Sequence, residues 1–521
     1  MSRSASRRVV NPNKVFQQTG GLNVGRSRFD LSHQVILSAD MGQLIPIVTK
    51  QMIPGDIWHD SVNCLVRLNP TVAPIMHEIN AYFFKVFVPH RLVDDRWEDF
   101  ITGGQDGDIT QVPIRWVPTH SDKTLPGTLW DHMGFPIGVV PTGDYAPLDH
   151  PKRAYNLFVN EFIRDQNLDP EIDIETNEDI YFMRWEKDYF ASALPFQTRG
   201  TPPAIPITGT TSAVWTLDVA AGGSQGATQA LQVVSGSTDK NFFTDGTGSY
   251  TMNTRENIVG ALNTNTVSLE DAGLNITIND IRTTAVLQQW MELNARAGAR
   301  YTEYLQSVFD EKPEDYRLQR PEYIGRVKVP IMVSEVQQTS AVPSQPTPQG
   351  NLAGRGAGTG HSSFPSYKAR EHGTLMVLMC IRPRAVYSQG FPREWMPQTV
   401  FDLYTPQFAN LQEQAILNGE VYATGTDSED TDIWGYQGRY SEYRYSKSRI
   451  AGLMHNDLDH WHLARKFDSL PALNSTFLSQ QDARKDFLAV PSEPAFVVTV
   501  GCNIYADRPI PAIPVPGITR I

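Results

Sequence analysis

With 521 residues, 40% of them hydrophobic and 10% aromatic, the chain can bury a sizeable core, which excludes a disordered polymer. Its formal charge is −12, yet the first 29 residues hold Arg3, Arg7, Arg8, Lys14, Arg26 and Arg28 and no acid, so a basic arm precedes an acidic body. The arginines are not followed by an apolar run, and the longest such run, Leu375 to Ile381, is too short for a bilayer, so neither a signal peptide nor membrane insertion is expected.

Residues 1–29 read as an extended arm. From about 31 to 90 the pattern is β. Val62, Cys64, Val66 and Leu68 alternate with Ser61, Asn63 and Arg67, as in a half-buried strand. Residues 79–88 are apolar on both faces, which predicts a central, covered strand. Residues 151–166 predict a helix capped by Asp149, with Pro151 in its first turn and Tyr155, Phe158, Phe162 and Ile163 on one face. Residues 201–280 are rich in Thr, Gly, Ser, Asn and Ala, with seven acids and two bases, and read as an insertion presented to solvent. One long or broken helix is expected from Asp280 to before Pro313. Strands return at 324–333, 374–381 and 496–504, separated by a Gln/Ser/Pro/Gly-rich loop over 337–366, and a Pro-rich tail covers 508–521. Strand signals at both ends argue for one β-sandwich closed by distant segments, with long loop and helical insertions.

Candidate chemistry is sparse. Cys64, Cys380 and Cys502 are far apart and odd in number, which fits a reducing compartment and no metal or redox motif. Gly222-Gly223-Ser224-Gln225-Gly226 matches a nucleophile elbow in letters, but lacks the flanking strand and helix the elbow needs. Gly354-Arg355-Gly356-Ala357-Gly358-Thr359-Gly360 lacks the lysine and spacing of a phosphate loop and reads as a flexible loop. His455, Asp457, Asp459, His460 and His462 are dense enough for metal ligands but match no ligand spacing, so a hydrogen-bonded structural turn is expected. No feature demands catalysis or a cofactor. On charge alone the arm is either a polyanion contact or a solubilising tail, with Phe16 and Phe29 available to stack on unpaired bases.

Several segments resemble one family. They include FDLSHQVILSADMGQLIPI (29–47), PGDIWHDSVNCLVRLNPTVAPIMHEINAYFFKVFVPHRLV (54–93), NARAGARYTEYLQ (294–306), GYQGRYSEYRYSKSRIAG (435–452) and LDHWHLARKF (458–467). In order and spacing they resemble the major capsid proteins of the Microviridae, in particular the gokushovirus branch. The resemblance implies a mainly β protein, an eight-stranded viral jelly roll of two four-stranded sheets, assembled into a T=1 icosahedral virion shell around circular single-stranded DNA. It implies that 201–280 forms a surface protrusion at the threefold axes with a host-attachment role; Trp215, Phe242, Phe243 and Tyr250 within it are candidates for meeting a host surface receptor, carbohydrate included, with at least half of them expected to hold the protrusion together instead. It implies scaffolding and minor virion proteins as partners, assembly in the host bacterial cytoplasm and no catalytic residues. Arg3, Arg7, Arg8, Lys14, Arg26 and Arg28 become candidates for DNA contact inside the shell, with contact to neighbouring subunits as the rival. The alternative from another class is a carbohydrate-active β-sandwich enzyme or binding module.

Overall fold

The computed structural model describes residues 25–102, 113–203, 231–233, 240–244, 250–252, 278–297, 300–312, 314–337, 352–409, 413–481 and 483–513. In chain order the strands are β1 (Ser27–Asp30), β2 (His33–Ala39), β3 (Ile45–Met52), β4 (Ile57–Leu68), β5 (Ile79–Pro89), β6 (Leu231–Val233), β7 (Lys240–Thr244), β8 (Tyr250–Met252), β9 (Glu322–Gln337), β10 (Leu352–Ser363), β11 (Tyr367–Lys368), β12 (Gly373–Pro383), β13 (Gln414–Leu417), β14 (Ile433–Gln437) and β15 (Phe496–Arg508). The chain divides into two compact units. One comprises Met1–Gln197 and Asn294–Ile521, the other Thr198–Leu293.

The first unit is a mainly β jelly roll. Its strands follow the order β1-β15-β4-β10-β9-β5-β12-β3, with β2 also on β15 and β11 on β4. All these pairings are antiparallel. One half is β2-β15-β4-β10 and the other is β9-β5-β12-β3. The two expected four-stranded sheets are joined, because β9 pairs with β5 through Glu322–Ile331 and with β10 through Met332–Gln337. Sixteen residues of continuous strand let β9 serve both halves.

The core lies between the halves. Val62, Cys64, Val66, Val498, Val500 and Ile504 from one half meet Ala81, Phe83, Phe87, Val377 and Met379 from the other. These are the alternate residues of β4 and β15, so the two-residue period of the sequence is the inward face of the sheet. β5 and β12 are buried along their whole length. Their second face, with Tyr82, Phe84, Val86, Met376 and Leu378, is covered by Trp116, Trp130 and the helix His150–Phe158. The doubly apolar pattern of 79–88 thus reflects two cores on either side of one strand. A third cluster gathers Trp185, Phe190, Tyr387, Trp434 and Phe477 around β13 and β14.

Two sequence expectations are corrected here. Within the expected loop over 337–366, residues 352–363 form β10. Its glycines fall on every second position, and that face is the buried one. A Cβ at Gly356 would stand 2.7 Å from Leu68 Cβ, and one at Gly360 would stand 2.5 Å from Val329 Cγ2. The neighbouring strands approach too closely for any side chain, so glycine carries the strand's alternation where an apolar residue usually does. The GRGAGTG stretch is therefore a strand with no room for a ligand on its inner face. Secondly, Asp149 does not cap the helix that follows it. Its buried carboxylate pairs instead with Lys152 at 3.1 Å and Arg153 at 2.8 Å, cations one turn along the same helix. The rest of the expected 151–166 helix continues as a π turn, Val159–Ile163.

The expected long helix is broken into Ile278–Ala297 and Tyr301–Phe309, the latter closed by Asp310 in the left-handed region at φ 54°. No described helix is long and apolar enough to cross a membrane. The second unit, Thr198–Leu293, contains the 201–280 insertion, and its described strands β6, β7 and β8 form a three-stranded antiparallel sheet.

Candidate nucleic-acid and assembly surfaces

Arg3, Arg7, Arg8 and Lys14 lie outside the described residues. Arg26 and Arg28 lie inside them, at the root of the arm. Ser27–Asp30 is the strand β1, paired with Tyr505–Arg508, so the barrel begins two residues before the expected end of the arm at 29. Arg26 Nη1 donates to the Gly55 carbonyl at 2.7 Å. Arg28 makes a two-pronged pair with Asp507, Nε at 2.7 Å and Nη2 at 2.9 Å. The hydrogen bond and charge of Asp507 push the Arg28 guanidinium further up, and Arg28 holds the Asp507 carboxyl below its ordinary value. Both cations therefore fasten the arm to the barrel edge. Arg508 closes the same corner, reaching the Gln51 carbonyl at 2.9 Å and Asp56 at 3.1 Å.

Of the four aromatics named in the insertion, Trp215 and its surroundings lie outside the described residues. Phe242 and Phe243 are on β7, opposite Met252 and Thr251, and Tyr250 is on β8 opposite Thr244. The structure thus places three of the four on adjacent strands of one small sheet. The Gly222–Gly226 match lies outside the described residues.

The His455–His462 group is a structural turn. His462 is buried, its Nε2 faces the Met454 carbonyl at 2.8 Å, and its Nδ1 accepts from the Ala464 amide at 3.1 Å. Both ring nitrogens are thereby engaged, with Nε2 carrying the proton. Asp459 is held by Arg484 at 2.9 Å and Lys466 at 3.3 Å. The three cysteines are buried and free, and burial pushes their thiols up, Cys380 to about 12 and Cys502 to about 11. Such thiols are inert packing groups.

Two polar features of the barrel were missed from sequence. Lys85 is fully buried between the sheets and paired with Asp60 of β4, while its Nζ also donates to the Pro365 carbonyl at 3.1 Å. The signal was present, since Lys85 is the one charge in the strand INAYFFKVFVP. The other is a histidine group at the end of β5. The rings of His90 and His150 stack at 4.3 Å, and Trp97 meets them edge-on at 4.5 and 5.0 Å. His150 Nε2 faces Asp94 at 3.2 Å and His90 Nε2 faces Thr374 Oγ1 at 3.1 Å. Burial is the largest cause that depresses both rings, His90 to about 3. These groups come from β12, the turn and short helix that follow β5, and the helix His150–Phe158, so no local spacing announces them.

The described residues thus form an antiparallel jelly-roll barrel with buried thiols and with the root of the arm pinned to the barrel edge. The profile of the family described as "Capsid protein (F protein)" matches residues 18–518, and the chain belongs to that family. It is similar to the capsid protein VP1 of Chlamydia phage 1, 33% identical over 97% of this chain and 98% of the relative. It is also similar to the capsid protein VP1 of Bdellovibrio phage phiMH2K, 32% identical over 93% of this chain and 92% of the relative. The capsid protein VP1 of Spiroplasma virus 4 is 28% identical over 97% of this chain and 98% of its own length. The chain is a Microviridae major capsid protein, a virion component that assembles with itself and not an enzyme, which decides against the carbohydrate-active alternative.

Proposed function

We propose that this chain builds a T=1 icosahedral shell around a circular single-stranded DNA genome, in the cytoplasm of a bacterial host and with the help of scaffolding and minor virion proteins. The observation that carries the reading is the family match along almost the whole chain, residues 18–518, on a complete jelly-roll barrel. In this reading the cations beyond the clasped root, Arg3, Arg7, Arg8 and Lys14, meet the genome, while the acidic body repels it. The 201–280 insertion serves as the surface protrusion at the threefold axes and attaches to a host surface receptor, carbohydrate included, through aromatics of which Trp215, Phe242, Phe243 and Tyr250 are the candidates. Its composition supports this, with few large apolar residues and an excess of acids.

The test is co-expression of the chain with its helper proteins, followed by sedimentation, electron microscopy and extraction of nucleic acid. Megadalton particles of T=1 size containing nuclease-protected single-stranded DNA are expected. A product that stays monomeric or dimeric under all helper combinations ends the shell reading. For the protrusion, exchange of 198–293 between two related phages is expected to transfer host adsorption, and unchanged host range removes the attachment role.

A further inference from the structure

We propose that the aromatic surface formed by the 391–404 segment together with Ser441–Tyr443 is an interface with a neighbouring copy of this chain. The proposal rests on the shell-building reading above and names the surface that reading requires.

The surface joins distant parts of the sequence. The turn Arg393–Trp395 and the turn Val400–Asp402 are tied together by Arg393, whose Nη2 stands 3.5 Å from Asp402 and whose Nη1 stands 3.1 Å from buried Glu420. The Phe401 carbonyl accepts from Arg439 Nη2 at 2.6 Å and from the Tyr440 hydroxyl at 2.9 Å. The ring of Tyr404 packs against Tyr440 at 5.2 Å and Tyr443 at 6.3 Å. Asp402 accepts from the Gln398 and Thr399 amides at 3.0 and 2.8 Å, which holds the second turn. The loop is thus fixed before any partner arrives, so little ordering entropy remains to be lost on contact.

Arg393 and Asp402 are turned inward, while the large apolar groups point outward beside the exposed Glu394, Gln398 and Thr399. Trp395 is 79% exposed, Val400 is 70% exposed, and Phe391, Phe401, Tyr404 and Tyr443 are each more than half exposed. At ~200 Å² per aromatic side chain, the five rings present about 600 Å² of exposed surface. That is at the top of what a monomer leaves bare, and most of the ~800 Å² that one partner buries in a specific interface. Aromatic, Met and Arg side chains dominate, as in an interface core, and Glu394 beside Trp395 is the exposed acid of the set. Arg393 and Arg439 are already committed internally, so neither cation is left to recruit a polyanion or an acidic partner. The occupant that fits is another apolar protein surface, and a capsid protein necessarily has copies of itself as neighbours. Trp395, the most exposed aromatic of the set, is the expected energetic centre.

The test compares dissociated subunits and assembled particles of the full chain by carbene footprinting with mass spectrometry, alongside Trp395→Ser, Phe401→Ser and the conservative Trp395→Phe. Labelling of Trp395, Phe401 and Tyr404 is expected to fall several-fold on assembly. The two serine variants are expected to remain folded by circular dichroism yet lose particles, and Trp395→Phe to restore them. Particles in which these residues label as strongly as in free subunits overturn the interface and leave the shell reading standing. So do folded serine variants that assemble at the wild-type yield. If the serine variants misfold, the wild-type footprint decides alone. A wild-type chain that never forms particles sinks the shell reading and the interface with it.

Discussion

Lys85 of β5 and Asp60 of β4 form an ion pair sealed between the two halves of the barrel, with the lysine side chain wholly buried and the aspartate nearly so. Burial is the largest influence on each group and works against ionisation, pushing Lys85 down and Asp60 up, while their mutual attraction opposes it. Such a pair costs desolvation and fixes which residue of one half faces which residue of the other. Lys85→Met alone, leaving Asp60 without its cation, is expected to cost about 3–5 kcal/mol, whereas Lys85→Met with Asp60→Leu is expected to recover most of that loss. Urea unfolding of the unassembled chain measures both. Equal destabilisation by the single and double variants would show that the pair itself, and not the orphaned charge, carries the effect.

The inner face of β10 should tolerate no side chain. Gly356→Val and Gly360→Val are each expected to destabilise by about 1–3 kcal/mol or more through overpacking against Leu68 and Val329. Thr359→Val, on the exposed face of the same strand, is expected to stay within about 0.5 kcal/mol. Soluble yield and urea midpoint report the contrast, and a harmless Gly360→Val would mean that β10 is not held against β9 as described.

Stability should fall in mild acid. His90 is depressed to about 3 and His150 is also lowered, both chiefly by burial. The groups around them are His372, which lowers His90 further, Asp94, which opposes the shift in both, and Asp149 and Arg153, which act on His150. Above the ordinary histidine value both rings are neutral folded and unfolded, and they add no pH dependence. Below it the unfolded chain takes up protons that the folded one refuses, so stability drops as pH falls from about 6.5 towards 3, by up to ~1.4 kcal/mol per pH unit for His90, and His150 acts in the same direction. His90→Gln is expected to make the slope shallower over that window. An unchanged slope would place the acid sensitivity elsewhere.

The basic arm should separate into two functional parts. Replacing Arg3, Arg7, Arg8 and Lys14 with alanine is expected to lower packaged DNA, and four such cations on single strands correspond to a log-log salt slope of about 3. Arg28→Ala is expected to loosen β1 from β15 with no loss of DNA content, since that guanidinium is already held by Asp507. Extracted DNA per particle and limited proteolysis at the N-terminus read the two effects. A DNA deficit in Arg28→Ala particles would return that residue to the genome-facing set.

Much of the barrel was legible because its strands keep an apolar alternation. The residues of β4 and β15 that alternate in sequence are those that face the core, and the two-faced apolar run of β5 marks a strand with a core on each side. The Gly-rich strand was illegible for a physical reason. Its two-residue period is written in glycine, which carries no hydropathy signal, and only the closeness of Leu68, Ile331 and Val329 reveals why. Asp149 fitted a helix cap by position, but Lys152 and Arg153 outcompete the backbone amides for its carboxylate. The charges of Arg26 and Arg28 were countable, whereas their partners, Gly55 and Asp507, are distant in the chain. The 391–404 surface is hidden for the same reason, since its continuity depends on Arg439, Tyr440 and Tyr443.

β15 lies between β4 on one side and β1 and β2 on the other, so among the described residues the first two strands of the barrel pair with one of its last. During synthesis β1 and β2 must wait, unpaired, for almost the whole chain to emerge from the ribosome. A product broken off before Phe496 has nowhere to seat its N-terminal strands, and its core strand β4 keeps an open edge. Closure of the building block thus coincides with completion of the polypeptide, and a chain truncated before Phe496 is expected to stay open.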